Sequence, residues 1–181
     1  VTNSLRIVPP WSIGSDFDGH TVIIEPGSGF GVGTHPTTQL CLRWMEQNIV
    51  SGDSFLDFGS GSGVLSIFAK KLNCIKVEGI EIDQKAIDNA KHNIKLNKVN
   101  IPFHRSEQNI IKDSFDNVVA NILSETLIDL SPKLRLLTNK RLALSGILNN
   151  QVDRIIKKFS KWIELRVHAK YDDWVILDGE L

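Results

Sequence analysis

Three alternating glycines interrupt the chain between an apolar run and an amphipathic one, in Leu56-Asp-Phe-Gly-Ser-Gly-Ser-Gly-Val-Leu-Ser66. Phe55, Leu56 and Phe58 read as the end of a buried strand, and Val64, Leu65, Ile67, Phe68 and Leu72 as the inner face of a helix. A strand that turns at once into a helix needs φ values other residues resist, and a missing Cβ lets a ligand lie against bare backbone N–H groups. The pattern therefore restricts the chain to an α/β fold with a ligand at that junction. A loose surface turn is the competing reading. Strand, glycine turn, helix, second strand and terminal acid follow in the order ligand binding requires, which argues against it.

The spacing narrows the ligand. A dinucleotide-binding turn reads Gly-x-Gly-x-x-Gly, and counting from Gly59 that pattern meets Gly61 but then Val64. What stands here is Asp57-x-Gly59-x-Gly61-x-Gly63, which resembles the first motif of Rossmann-like class I methyltransferases that use S-adenosylmethionine (AdoMet). The next strand, Lys76-Val-Glu-Gly-Ile-Glu-Ile-Asp83, ends in an acid suited to both ribose hydroxyls, about 20 residues beyond the turn. Glu81 is preferred for that contact over Asp83, which stands three residues before Ala86 and looks like a helix N-cap.

At 181 residues the chain is one domain's worth, and Lys plus Arg (21) equals Asp plus Glu (21), so no overall field draws it to nucleic acid or membrane. Between Lys133 and Lys170, however, basic residues outnumber Asp153 and Glu164 heavily. Solvated helix and strand faces are favoured there over a docking surface for a polyanion. Cys41 and Cys74 read as buried thiols in a reducing cytoplasm, with no metal-ligand partners nearby, so no metal is expected. No apolar run approaches a membrane span, and a cytoplasmic location is expected. The single methionine is Met45, so the numbering begins either inside a longer protein or at an unusual start.

Residues 1–20, with Pro9-Pro10 and Trp11, read as an extended lead-in with a turn, and Trp11 is expected to pack on its own domain rather than anchor a partner. After a short β-like run from Thr21 to Glu25 comes Gly27-Ser-Gly-Phe-Gly-Val-Gly-Thr-His-Pro-Thr-Thr38, expected to open a helix over Gln39–Asn48. A loop so rich in glycine suits closure over a bound molecule, and the free N–H groups at the helix start suit a carboxylate.

Gly31-Val-Gly-Thr-His-Pro-Thr-Thr38, the run Leu56 to Gly63, Val119-Ala-Asn-Ile-Leu123, and Leu144-Ser-Gly-Ile-Leu148 followed by Gln151 together are similar to the PrmA-type ribosomal protein L-eleven methyltransferases, from about Val8 to Leu177. The resemblance implies a seven-stranded, mostly parallel sheet with helices on both faces. It implies an AdoMet-dependent protein-lysine N-methyltransferase acting on a large-subunit ribosomal protein. Thr38, Gly59, Glu81 and Asn121 would contact AdoMet, together with Asp57, Gly61 and Gly63 of the glycine motif, and Phe30 would lie in a loop gating the site. Glu81 replaces the Asp usual in the family, and Arg105-Ser-Glu-Gln-Asn109 departs from the usual Gly-Asp pair, leaving Ser106 and Glu107 as candidates for the adenine edge. Residues 1–20 would join residues 21–181, the catalytic domain, to a small substrate-gripping domain not included here.

Further along, residues 84–97 read as a helix with Ala86, Ile87, Ala90 and Ile94 inward, and Ile101 to His104 as a third strand. Phe115 to Asn121 reads as a fourth, placing Asn121 where ligands bind at a topological switch point, or else as a helix cap. Ser124 is expected to cap a helix that Pro132 kinks or divides, Arg141 to Leu144 to be the fifth strand, and Ile163–Lys170 with Trp174–Leu177 to form an antiparallel hairpin with His168 solvated. Methyl transfer asks mainly for alignment and exclusion of water. His35 is either a proton acceptor or a pin for its loop, and Phe30, Asn121 and Trp174 are the other lining candidates. A methyltransferase with another protein or RNA acceptor, and a non-catalytic AdoMet-binding module, are the alternatives.

Overall fold

The computed structural model describes residues 1–14, 16–106 and 112–181. Its strands are β1 (Leu5–Val8), β2 (His20–Ile23), β3 (Ser54–Phe58), β4 (Lys76–Glu81), β5 (Phe103–Arg105), β6 (Phe115–Asn121), β7 (Thr138–Leu148), β8 (Arg166–Tyr171) and β9 (Trp174–Glu180). The α-helices are α1 (Pro36–Asn48), α2 (Val64–Lys71), α3 (Gln84–Leu96), α4 (Ser124–Leu137) and α5 (Val152–Phe159). A seven-stranded sheet in the order β5-β4-β3-β6-β7-β9-β8 is the frame. It is parallel from β5 to β7, while β9 runs antiparallel to both β7 and β8. This is the Rossmann-like architecture expected.

Period-2 alternation sends neighbouring residues of one strand into opposite layers. Phe55, Val119 and Ala143 pack with α1, α2 and Ile94 of α3 on one face, and Leu56, Val118, Ala120, Leu142 and Leu144 with α4 and α5 on the other. The chain leaves β3 outward to β4 and β5, then returns to β3's other side at β6. That reversal opens a crevice beyond the carboxyl ends of β3 and β6, which is where open α/β sheets bind ligands.

Several expectations are corrected. The lead-in is extended but part of the fold, since β1 pairs in parallel with β2 and Leu5 is fully buried. Trp11, expected to pack on its own domain, is 71% exposed in a 3-10 turn over Pro10–Ser12. Helix α1 starts at Pro36 rather than Gln39, because His35 caps it. Ser124 is the first residue of α4, not its cap, and the helix runs undivided through Pro132. Buried Leu127, Ser131 and Leu134 hold that helix to the sheet, so packing outweighs the lost hydrogen bond. The fifth strand of the sheet extends well beyond Arg141–Leu144. In β8 a register shift between Val167 and Ala169 breaks the alternation, leaving Val167 exposed and bringing His168 onto Asp178 and Gln47 instead of solvent. Among the described residues no helix is long and apolar enough to cross a membrane.

Candidate functional site

A cavity of about 750 Å³ lies over the ends of β3, β4 and β6. Its walls include Phe30 and His35 of the glycine loop, Gly59 and Gly61 of the turn, Glu81 and Asn121. The turn works as the glycine spacing suggests in conformation but not in its use of space. Gly59, Gly61 and Gly63 all have positive φ (82°, 50° and 80°). A Cβ on Gly59 would come within 2.3 Å of Ile122 Cγ2, and one on Gly61 within 2.4 Å of the Phe30 carbonyl oxygen. The protein's own backbone and side chains fill the gaps that were assigned to a ligand.

Glu81 stands at the end of β4 on the cavity wall, and its carboxylate is a hub. Oε2 accepts from Gly61 N–H at 2.9 Å, and Oε1 from Ile82 N–H at 2.7 Å and Asp83 N–H at 3.1 Å. Asp83, also on the wall, spends Oδ1 on the Lys85 N–H as the N-cap of α3. Both acids therefore face the cavity, and Glu81 is the one that also braces the turn. Asn121 ends β6, on the other side of β3 from β4, and also lines the cavity.

The aromatic side of the mouth is built by His35, whose ring meets Phe30 at 5.1 Å and Trp174 at 5.3 Å, both edge-on. Thr37 N–H donates to His35 Nδ1 at 3.3 Å. A backbone N–H can only donate, so Nδ1 is an acceptor and the neutral ring carries its proton on Nε2. That geometry favours the loop pin over the proton acceptor.

Not every expected residue reaches the cavity. Thr38 is buried with Oγ1 lacking a hydrogen-bond partner, and it is its neighbour Thr37 that lines the wall. Asp57 lies in the core, off the wall, with Oδ2 accepting from Ser66 N–H (3.0 Å) and Ser66 Oγ–H (2.7 Å) and Oδ1 without a partner. Burial raises its pKa to about 7 against the opposing pull of the Ser66 bonds. Gly63 is likewise internal and serves as the left-handed N-cap of α2. Ser106 is on the wall, whereas Glu107 lies outside the described residues.

Sequence reasoning missed the contribution of α4. Thr126, Leu130 and Lys133 line the cavity at helical spacing, a signal present in the sequence, and Lys133 Nζ donates to the Ser106 carbonyl at 3.2 Å. It also missed Gly146, on the cavity wall with φ of 82°, where a Cβ would strike the Ile122 carbonyl oxygen at 2.4 Å. The basic stretch is partly neutralised within the fold, since Arg141 pairs with Glu180, Arg154 with Glu125 and Arg166 with Asp178. Both cysteines are buried, and desolvation lifts their thiols to about 12, so neither is a poised nucleophile. Among the described residues no three His, Cys, Asp or Glu side chains group as metal ligands.

The residues present suit a ligand such as AdoMet. The carboxylate at the end of β4 and the Asn121 amide offer polar contacts, while Phe58, Ile80, Ile82 and Leu123 offer apolar walls for a flat base.

The family model for "Ribosomal protein L11 methyltransferase (PrmA)" matches residues 1–181. A ribosomal protein L11 methyltransferase of Methylobacillus flagellatus is 40% identical over 181 residues, covering 99% of this chain and 61% of that protein. The one from Paraburkholderia xenovorans is 39% identical over 175 residues, covering 96% of this chain and 58% of the relative. The chain thus spans about three-fifths of the length of the curated relatives it matches. The crystal structure of a ribosomal protein L11 methylase from Lactobacillus delbrueckii subsp. bulgaricus superposes with a TM-score of 0.91 at 30% identity, covering 98% of this chain and 95% of that one. Magnesium protoporphyrin IX methyltransferase from Synechocystis, solved with bound SAH, shares the class I methyltransferase fold at a TM-score of 0.61 and 18% identity, over 78% of this chain and 80% of that one.

Proposed function

This chain belongs to the ribosomal protein L11 methyltransferase (PrmA) family, and from that premise we propose that it is the AdoMet-dependent catalytic part of a protein-lysine N-methyltransferase whose acceptor is an L11-type ribosomal protein in the cytoplasm. The observation that carries the reading is that Glu81 and Asn121 end the two strands flanking β3 and line one cavity at the switch point, with the glycine turn between those strand ends. When bound, AdoMet supplies an electrophilic methyl group on a sulfonium. The chain's residues hold, align and exclude water.

Gly59, Gly61, Glu81 and Asn121 are the residues we assign to holding it. A carboxylate has about four lone-pair sites. Glu81 uses three on backbone N–H groups, two of them at exposed positions. Ribose hydroxyls would share or replace those exposed donors. Thr37, at the start of α1 and on the cavity wall, replaces Thr38 as our candidate for the amino-acid end.

A lysine acceptor must arrive neutral, although free lysine is charged near neutral pH. Phe30, Ile82, Leu123 and Trp174 make the mouth apolar, which disfavours the ammonium form by desolvation. Asn121 offers a neutral side-chain acceptor to orient the amine. His35, its Nδ1 engaged at the helix start, keeps the loop in place and leaves the proton to solvent. We further propose that residues 21–181 carry the chemistry, and that acceptor recognition draws on length present in the relatives but outside this chain. No metal takes part in this reading.

The test is transfer of labelled methyl from AdoMet to an L11-type ribosomal protein, with mass spectrometry locating the methyl groups. Methylation on lysine is expected, weak with this chain alone and stronger with a form extended to the relatives' length. AdoMet binding without transfer by either form would sink the acceptor assignment, and no binding would sink the cofactor assignment.

A further inference from the structure

Ser62 sits between the second and third glycines of the turn, fully buried and not on the cavity wall. All of its polar atoms reach other elements. Its N–H donates to the Phe30 carbonyl at 2.8 Å, its Oγ–H donates to the Gly31 carbonyl at 2.6 Å, and its own carbonyl accepts from Asn93 Nδ2 at 3.0 Å.

Those bonds join the glycine loop to the turn at the place where Phe30 projects. The root of the loop is held separately by one face of α3. Asn97 Oδ1 accepts from Ile23 N–H, Asn93 Oδ1 from Glu25 N–H, both at 2.9 Å, and Asn89 Oδ1 from Gly29 N–H at 3.3 Å. The far end is held by His35 at the start of α1. Between these anchors the contact is backbone on backbone, because a Cβ on Gly29 would lie 2.6 Å from Ser62 N. Asn93 holds the loop root and the Ser62 carbonyl at once, so loop and turn share one brace.

We propose that Ser62 is a positioning residue that latches the glycine loop, and with it Phe30, onto the glycine turn. Building on the AdoMet reading above, a ligand in the cavity then leaves only when the latch opens. Opening breaks two buried bonds to backbone carbonyls, which slows it relative to a free glycine loop. A loop this rich in glycine would otherwise be mobile; Ser62 makes its closed position specific.

The experiment is release of labelled AdoMet chased by excess unlabelled AdoMet, with hydrogen exchange of residues 29–33 measured without ligand. Ser62→Ala is expected to speed release about 5- to 10-fold, as loss of the one neutral hydrogen bond from Oγ to the loop does, and to raise exchange in the loop. The other bond it removes, from Val64 N–H to Oγ at 3.3 Å, lies at the start of α2 and does not hold the loop. Thr138→Val is the matched control, since Thr138 Oγ1 is also buried and donates to a backbone carbonyl, that of Leu134, at 2.7 Å. It should lower the melting temperature without changing release or loop exchange. Gly29→Ala, which pushes the loop off Ser62 from the loop side, should act like Ser62→Ala and covers the case in which Ser62→Ala folds poorly. Unchanged release and exchange in the Ser62 and Gly29 variants would overturn the latch, as would equal acceleration in Thr138→Val. If wild-type protein binds no AdoMet while Ser62→Ala still loosens the loop, the latch stands and the cofactor reading falls.

Discussion

The two glycine-rich segments, residues 59–63 and 27–33, invite one explanation in the sequence and receive two in the structure. In the turn all three glycines adopt positive φ, and each gap is closed by a different neighbour: Ile122, the Phe30 backbone, and Ala90 with Phe103. In the loop only Gly31 and Gly33 have positive φ, and Gly29 is needed because the loop lies on Gly61 and Ser62. The turn's glycines are demanded by conformation and crowding together. Gly29 is demanded by crowding alone. Glycine spacing thus reports that backbone comes close to something, and at Gly61 and Gly29 that something is the other glycine segment.

The largest effect should follow from forcing that partnership apart at Gly61. Gly61→Ala combines a left-handed φ, about 1–2 kcal/mol for an L-residue, with a Cβ 2.4 Å from a backbone oxygen that cannot swing away and about 1–3 kcal/mol of overpacking. A loss near 4 kcal/mol in urea unfolding is expected. A loss below about 1 kcal/mol would mean that loop and turn separate easily, and would undo the comparison.

Next comes the carboxylate bridging turn and cavity. Glu81→Ala should weaken AdoMet binding about 100-fold, as loss of two charge-assisted hydrogen bonds of about 1.5 kcal/mol each would. Its bond to Gly61 N–H means the fold will not be untouched. Calorimetry with parallel melting curves separates the two effects. Unchanged affinity would move the ribose contact off Glu81.

Much of the fold was legible because its strands are short apolar runs and its turns carry their own chemistry. The order of elements, the acid ending β4, Asn121 ending β6 and Asp83 capping α3 all follow from local residue type. What was not legible depends on contacts across the chain. Asp57 looks like part of the ligand motif, but its oxygens point to Ser66 and the core. Thr37 and Thr38 are equivalent in sequence, and only the helix start at Pro36 decides which lines the cavity. Lys133 needed the register of α4 against Ser106 to become a wall residue.

Asp57 yields a pH prediction about what lies beneath the turn. Its folded pKa is raised, chiefly by desolvation, from the ordinary carboxyl range to about 7. Between about pH 4 and pH 7 the folded state therefore keeps a proton that the unfolded state releases, so this group's contribution is full below about pH 4 and falls as pH rises, by at most about 1.4 kcal/mol per pH unit. Asp57→Asn removes that slope. Melting temperatures across this range should show the variant gaining on wild type as pH increases, and then a constant difference above about pH 7. Parallel curves would mean that Asp57 is ionised in the fold throughout.

The smallest effect isolates conformation from crowding. Gly52 shares the left-handed φ, at 97°, but a Cβ there would meet nothing within 4 Å, and it lies in the turn before β3, away from the cavity wall. Gly52→Ala should therefore cost only the conformational part, about 1 kcal/mol, with AdoMet affinity unchanged. Set beside Gly61→Ala, the difference of about 3 kcal/mol measures what the meeting of loop and turn adds. If Gly52→Ala proved as damaging as Gly61→Ala, φ alone would explain the turn's glycines, and the closeness of the two segments would be incidental to why those residues are there.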